Sequence, residues 1–314
     1  MRKRPLGDTG LSVSELALGT WGLSGDAYST VSDTDQDRVI DRARALGITL
    51  FETADSYAHG AMEKRLGQRL GDDQAAQFAT KVGTDREAMP PRKRFDAAFV
   101  RDAVARSSER LRRNVVDVVL LHNPSAGAVE RGEATGALRE LFESGRIAAW
   151  GVSAGSLEVA RAALAQGAKV LELAHNAFHC RDVRELSTEI EQRGAGVLAR
   201  SVLAHGLLCG QWPRDKNFAA RDHRSERWTT DELRHRLRQL DALRPLVGGS
   251  VVSLRAGALR FVLSSASVSS AVLGPRTSLQ LDVLVREAGR GPPYLSEESL
   301  TALRARLESV GIEV

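Results

Sequence analysis

Short apolar runs recur along the chain without polar alternation, and each is followed by a longer stretch with apolar residues three and four apart. The runs Val13–Leu18, Ile48–Thr53, Ala76–Val82, Val115–Leu121, Ile147–Val152, Lys169–Ala174, Ala195–Ser201 and Val268–Leu273 predict eight strands. The stretches between them predict helices. Val39, Ile40, Ala43 and Leu46 line one face of Asp35–Leu46, and Met62, Leu66 and Leu70 repeat every fourth residue. Further helices are expected over Asp96–Arg112, Glu133–Ser144, Ser156–Gln166, Asp182–Arg193, Asp231–Leu243, Ser250–Leu263, Thr277–Arg286 and Ser296–Val310. Gly47, Gly71 and Gly145 stand where helices end, and Ser156 and Ser296 where they begin. Arg2–Leu6 and the first run, joined by GDTG, predict a hairpin.

Strands apolar on both faces and alternating with helices imply a parallel sheet covered on both sides. Eight such units over 314 residues predict an α/β chain of one domain, residues 1–314, folded as a (β/α)8 TIM barrel with an N-terminal β-hairpin and extra C-terminal helices. A doubly wound open sheet is the alternative, disfavoured because neither GxGxxG nor GxxxxGK occurs. A polar segment, about Gln211 to Thr230, interrupts the rhythm.

Composition narrows the function classes. The net charge of +4 comes from arginines spread along helices, such as Arg101, Arg106 and Arg110, which argues against a nucleic-acid groove and mildly favours an anionic ligand. No apolar run reaches the roughly 18 residues of a membrane span. The basic start, MRKRPLGDTGLSV, lacks the apolar stretch of a secretory signal, so a cytoplasmic protein is expected. Cys180 and Cys209 have no CxxC spacing and fit a reducing compartment.

Active sites of such barrels lie at the carboxyl ends of the strands. Four ionisable residues fall there on successive units: Glu52 and Tyr57, Lys81, and His122. Singly, each reads equally as a salt-bridged acid, a rim tyrosine or a hydrogen-bonded histidine. Together they suit proton transfer to an oxygen: an ammonium next to a phenol is expected to lower its pKa, Glu52 to balance the ammonium, and His122 to orient a carbonyl.

The stretches LGDTGLSVSELALGTWG, LFETADSYAHGAMEKRLG, ATKVG, LLHNP, GRIAAWGVSAGSLE, ARSVLAHGLLCG and LGPRTSLQL, in this order and spacing, resemble the aldo-keto reductase family over nearly the whole chain. The resemblance implies a barrel binding a nicotinamide dinucleotide, usually NADPH, and reducing a small-molecule aldehyde or ketone. Tyr57 would be the proton donor, Lys81 its pKa-lowering partner, His122 the carbonyl-orienting residue and Glu52 the acid that holds Lys81. Ser153 would contact the nicotinamide carboxamide. Gly274, Arg276, Thr277 and Gln280 would grip the adenosine 2′-phosphate end, where an arginine at a helix start also has independent physical sense. Gly19, Thr20, Trp21, Glu172, Arg200, Ser201, Leu203 and Gly206 fall on further cofactor-binding positions.

The departures are specific. Glu52 stands where the family has aspartate, Ala154 where it usually has asparagine, Glu172 in place of the carboxamide-binding glutamine and Arg200 in place of the stacking aromatic. Val283 and Leu284 replace often polar adenine contacts. Glu172 and Arg200, at the ends of adjacent strands, are expected to pair across the nicotinamide site, with Arg200 disfavouring the oxidised ring. Other readings are a redox-neutral enzyme on the same barrel and a nucleotide-binding regulatory or channel-associated subunit. Substrate choice is expected in the loops Asn123–Arg131 and Gln211–Thr230 and in the carboxyl end of the chain, with Trp21, Trp212 and Trp228 as candidate walls.

Overall fold

The computed structural model describes residues 1–314. An antiparallel hairpin, β1 (Lys3–Pro5) and β2 (Ser12–Ser14), comes first. The apolar run predicted as one strand divides here, its last part forming β3 (Leu16–Gly19), the first barrel strand. The chain continues through α1 (Asp33–Ala45), β4 (Leu50–Glu52), α2 (Ala61–Leu70), β5 (Gln77–Val82), a ribbon of β6 (Thr84–Asp85) and β7 (Arg92–Lys93), α3 (Ala97–Leu111) and β8 (Val116–His122). Then follow α4 (Ala126–Glu130), α5 (Glu133–Glu143), β9 (Ile147–Ser153), α6 (Leu157–Ala165), β10 (Val170–Ala174), α7 (Arg181–Gln192) and β11 (Gly196–Arg200). The last elements are α8 (Thr230–Gln239), α9 (Leu254–Ser264), β12 (Val268–Leu273), α10 (Ser278–Ala288) and α11 (Glu297–Ser309).

Strands β3, β4, β5, β8, β9, β10, β11 and β12 pair in that order, all parallel, and β12 returns to β3 to close the barrel. The (β/α)8 architecture expected from the pattern is therefore the one observed. The helix starts follow their side chains: Ser32, Asp96, Ser156, Ser253, Thr277 and Ser296 each accept a hydrogen bond from the first turn. Gly47 takes the left-handed conformation, with φ of 84°. Gly71 does not. It remains right-handed, and the position excludes a side chain because a Cβ would meet the Gly67 carbonyl and Arg112.

The helix expected over Asp231–Leu243 is shorter than its pattern, passing at Leu240 into a 3-10 segment that contains Pro245. Two elements were not expected at all. The β6–β7 ribbon is two residues per strand and polar, and α4 has five residues, so neither has a period to detect.

The inward positions explain why the barrel is solid below and open above. Ala17, Leu50, Ala79, Val118, Leu120, Ala149, Val170, Leu198 and Val272 form the inner core, and Leu6 and Val13 of the hairpin region join it at the amino end. Two residues further along β3, β4, β5, β8, β10 and β11 the same inward direction is taken by Gly19, Glu52, Lys81, His122, Glu172 and Arg200, all of which line the cleft at the carboxyl end. A larger apolar layer lies between strands and helices. None of the helices is long and apolar enough to cross a membrane.

Candidate active site

The cleft at the carboxyl end of the barrel encloses about 950 Å³. Strand register sets its floor: Gly19 pairs with Glu52 across β3 and β4, His122 with Ser153 across β8 and β9, and Ser153 with Glu172 across β9 and β10. Gly19 is needed where it stands, since a Cβ there would come within 2.9 Å of the Glu52 carboxylate. The loop ends carry unusual backbone. Ala58, His59, Asn123, Ser201, Ala204 and His205 all have positive φ at this end of the barrel, the kind of local cost that surrounding structure sustains at working sites.

Lys81 is the hub. Its ammonium donates to the Tyr57 hydroxyl at 3.1 Å and to the Thr53 carbonyl at 3.0 Å, and it contacts the Glu52 carboxylate directly. A second carboxylate, Glu172 Oε1, lies 3.7 Å away. Burial pulls the Lys81 ammonium down to about 8, with Glu172 opposing and Arg200 adding to the drop. Glu52, the longer acid, reaches its partner in spite of the added methylene.

Tyr57 departs from expectation. Burial, and next the Glu172 carboxylate, push its phenol above the ordinary range, against the smaller pull of Arg200, so desolvation outweighs the neighbouring cation and the phenol stays neutral. The His122 ring lies edge-on to the Tyr57 ring, centroids 6.0 Å apart, with Ser56 Oγ 3.4 Å from its Nδ1. Burial, then the positive charge of Lys81, holds its imidazole well below its usual pKa. A neutral phenol on an ammonium, beside a neutral imidazole, can deliver a proton to an oxygen bound between them.

The expected Glu172–Arg200 pair does not form. Arg200 is in register with Ala174, two residues beyond Glu172 on β10, and donates to the Ala154 carbonyl at 3.3 Å, while Glu172 turns to Lys81. The other expected cofactor positions divide. Gly19, Trp21, Ser153, Glu172, Arg200, Ser201, Leu203, Gly206, Gly274, Arg276 and Gln280 line the cleft. Thr20 and Thr277 do not: Thr20 is fully buried with its hydroxyl on the Glu52 carbonyl, and Thr277 caps α10.

The donor set fits a dinucleotide along this cleft. Ser153 and an unpartnered buried oxygen, Glu172 Oε2, stand at the inner end. Arg276 at the start of α10 has a buried Nε without a partner, as does Arg200, and such groups suit phosphate oxygens. Leu279, Val283 and Leu284 offer an apolar wall on α10.

Residues that the sequence did not mark complete the cleft. Asp26, Tyr28, Arg86 and His205 line it from loops. Their only signal was position after a barrel strand. Arg86 donates to the Ser56 carbonyl at 2.9 Å and so braces the segment that carries Tyr57. The polar segment 211–230 folds back over the opening: Arg224 is fixed by Asp222 and lies 4.7 Å from the ring centres of both Tyr28 and Phe218. Arg224 lines the cleft with its guanidinium already held by an acid and two aromatic faces. Trp212 and Trp228 belong to the same aromatic cluster and stand behind the wall, whereas Trp21 is part of it.

A family model described as aldo/keto reductase matches residues 15–291. An uncharacterised oxidoreductase of Mycobacterium tuberculosis is 32% identical over 209 residues, a match covering 64% of this chain and only 61% of that relative. L-galactose dehydrogenase of Arabidopsis thaliana is 27% identical over 319 residues, 98% of this chain and 94% of its own. The solved structure of glycerol dehydrogenase from Gluconobacter oxydans, 27% identical, superposes with a TM-score of 0.84 over 99% of this chain and 97% of that one. By its barrel, its mouth residues and a family match over most of its length, the chain belongs to the aldo/keto reductase family.

Proposed function

We propose that this chain interconverts a carbonyl and an alcohol with a nicotinamide dinucleotide, reducing an aldehyde or ketone with NADPH and using Tyr57 as the proton donor. The observation that carries the reading is the 3.1 Å hydrogen bond from the Lys81 ammonium to the Tyr57 hydroxyl, at the mouth of the barrel and beside His122. The bound dinucleotide supplies hydride to the carbonyl carbon. Tyr57, neutral because it is buried, gives its proton to the carbonyl oxygen. The Lys81 ammonium offsets the charge left on the phenolic oxygen, Glu52 holds Lys81 in place, and neutral His122 orients the carbonyl. Ser153 and Glu172 meet the carboxamide end, and Arg276 with Gln280 the adenosine end, where the guanidinium favours a 2′-phosphate.

Two of the relatives are named for galactose and glycerol, so sugars and polyols lead the substrate search. The test is a screen of NADPH consumption over aldehydes, ketones, sugars and quinones, with alcohol oxidation in the reverse sense, run beside Tyr57→Phe. Turnover should fall about 100-fold or more in the variant, the range for loss of a general acid. Equal turnover in the two proteins, or no affinity for any nicotinamide dinucleotide, defeats the reading.

A further inference from the structure

Glu172 takes no part in the proton transfer, yet it is among the most enclosed charges in the molecule. Its residue is 1% exposed, it lines the cleft, and β10 sets it in register with Ser153 on β9. One carboxylate oxygen lies 3.7 Å from the Lys81 nitrogen, and the other, Oε2, is buried and accepts no hydrogen bond. Lys81 already has Glu52 in direct contact. Two carboxylates therefore compete for one ammonium, and Glu172, the more distant of the two, is left with an incomplete partner.

The charge of Arg200 reaches Lys81 and Tyr57, yet Lys81 is the only cation in an ion pair with Glu172. Arg200 is the nearest candidate along the neighbouring strand, but it makes no ion pair and is engaged with the Ala154 carbonyl nearer the rim. A buried carboxylate with an incomplete partner is costly unless a further positive group arrives. Of the two redox forms of a nicotinamide ring, only the oxidised one is a cation.

We propose that Glu172 is a specificity-determining residue that makes this cleft bind the oxidised, cationic dinucleotide in preference to the reduced one. The inference rests on the dinucleotide reading given above and adds to it a preference between the two redox forms. A glutamine at the same place would offer the carboxamide similar hydrogen-bonding atoms without the charge, so the preference resides in the carboxylate rather than in its shape.

Calorimetric titration of the full chain with NADP+, NADPH, NAD+ and NADH tests this without any substrate. The wild-type chain should bind the oxidised member of a pair more tightly than the reduced one. In Glu172→Gln the ratio of the two dissociation constants should move toward the reduced form by roughly tenfold or more, as expected for one charge in a partly desolvated site. Glu172→Asp, which keeps the charge, should retain the preference. Weakening of both forms by one common factor in Glu172→Gln marks a merely structural role and overturns the proposal, as does a preference lost equally in Glu172→Asp. Should Glu172→Gln not fold, the wild-type ratio decides, and tighter binding of the reduced form refutes the idea. Equal binding of both forms defeats this inference alone. Binding of neither defeats the dinucleotide reading beneath it.

Discussion

The two ends of the barrel are built from the same eight strands and have opposite interiors. At the amino end the inward side chains are apolar and Leu6 and Val13 join them, leaving no exposed surface on Leu6, Val13, Leu50 or Val118. At the carboxyl end, two residues on, the inward side chains are Glu52, Lys81, His122, Glu172 and Arg200. Burial of hydrocarbon stabilises the first, at about 25 cal/mol per Å². Burial of charge at the second is costly and is tolerated because Lys81 gathers two carboxylates and a phenol around it. The difference teaches that stability and chemistry are separated along the strand axis, with one turn of the pleat between them.

The largest effect that would sharpen this contrast is the one expected of Tyr57→Phe: turnover down about 100-fold or more with the melting temperature little changed. A melting temperature that fell as steeply as the rate would break it. The mirror experiment is Leu6→Ala at the closed end. Deleting a fully buried leucine should cost about 2–5 kcal/mol in denaturant unfolding, with kcat of the folded protein unaltered.

A smaller effect tests the cost of charge at the open end. The carboxyl of Asp55, just past β4, is pushed up from 3.8 to about 7, first by burial and second by the nearby Glu63 carboxylate. Between those values the unfolded chain has lost the proton that the folded chain keeps, so the folded state binds more protons and stability falls as pH rises through this window, levelling above about 7. Asp55→Asn should remove that slope, with a gain on the order of 1–3 kcal/mol at pH 8. A pH-stability curve identical to that of the wild-type chain would contradict the assignment. Smallest is Thr229→Ala, which removes the capping box that starts α8. About 1 kcal/mol should be lost, since the cap satisfies first-turn N–H groups, and turnover should not change.

Much of the frame was legible because its causes are local. The strand and helix order follows from runs such as Val115–Leu121 and from the fourfold spacing of Met62, Leu66 and Leu70, and the observed barrel has that order. Glu52, Tyr57, Lys81 and His122 were visible because a parallel barrel directs strand ends to one place. The α4 helix and the β6–β7 ribbon were not, being too short to carry a period. Arg224 was unreadable for another reason: its three ring neighbours and its acid come from folded loops, so sequence leaves only a charge in a polar stretch.

By itself the amino-acid sequence determined the alternation of elements, the closure implied by eight of them and the set of ionisable residues at their ends, because periodicity and chain connectivity act over short distances. Tertiary structure alone decided which carboxylate serves which cation. Glu172 turned to Lys81 and away from Arg200, Tyr57 became less acidic rather than more, and the loop arginine was absorbed into an aromatic cluster. Those outcomes depend on register offsets of two residues and on the removal of water, neither of which any stretch of sequence expresses on its own.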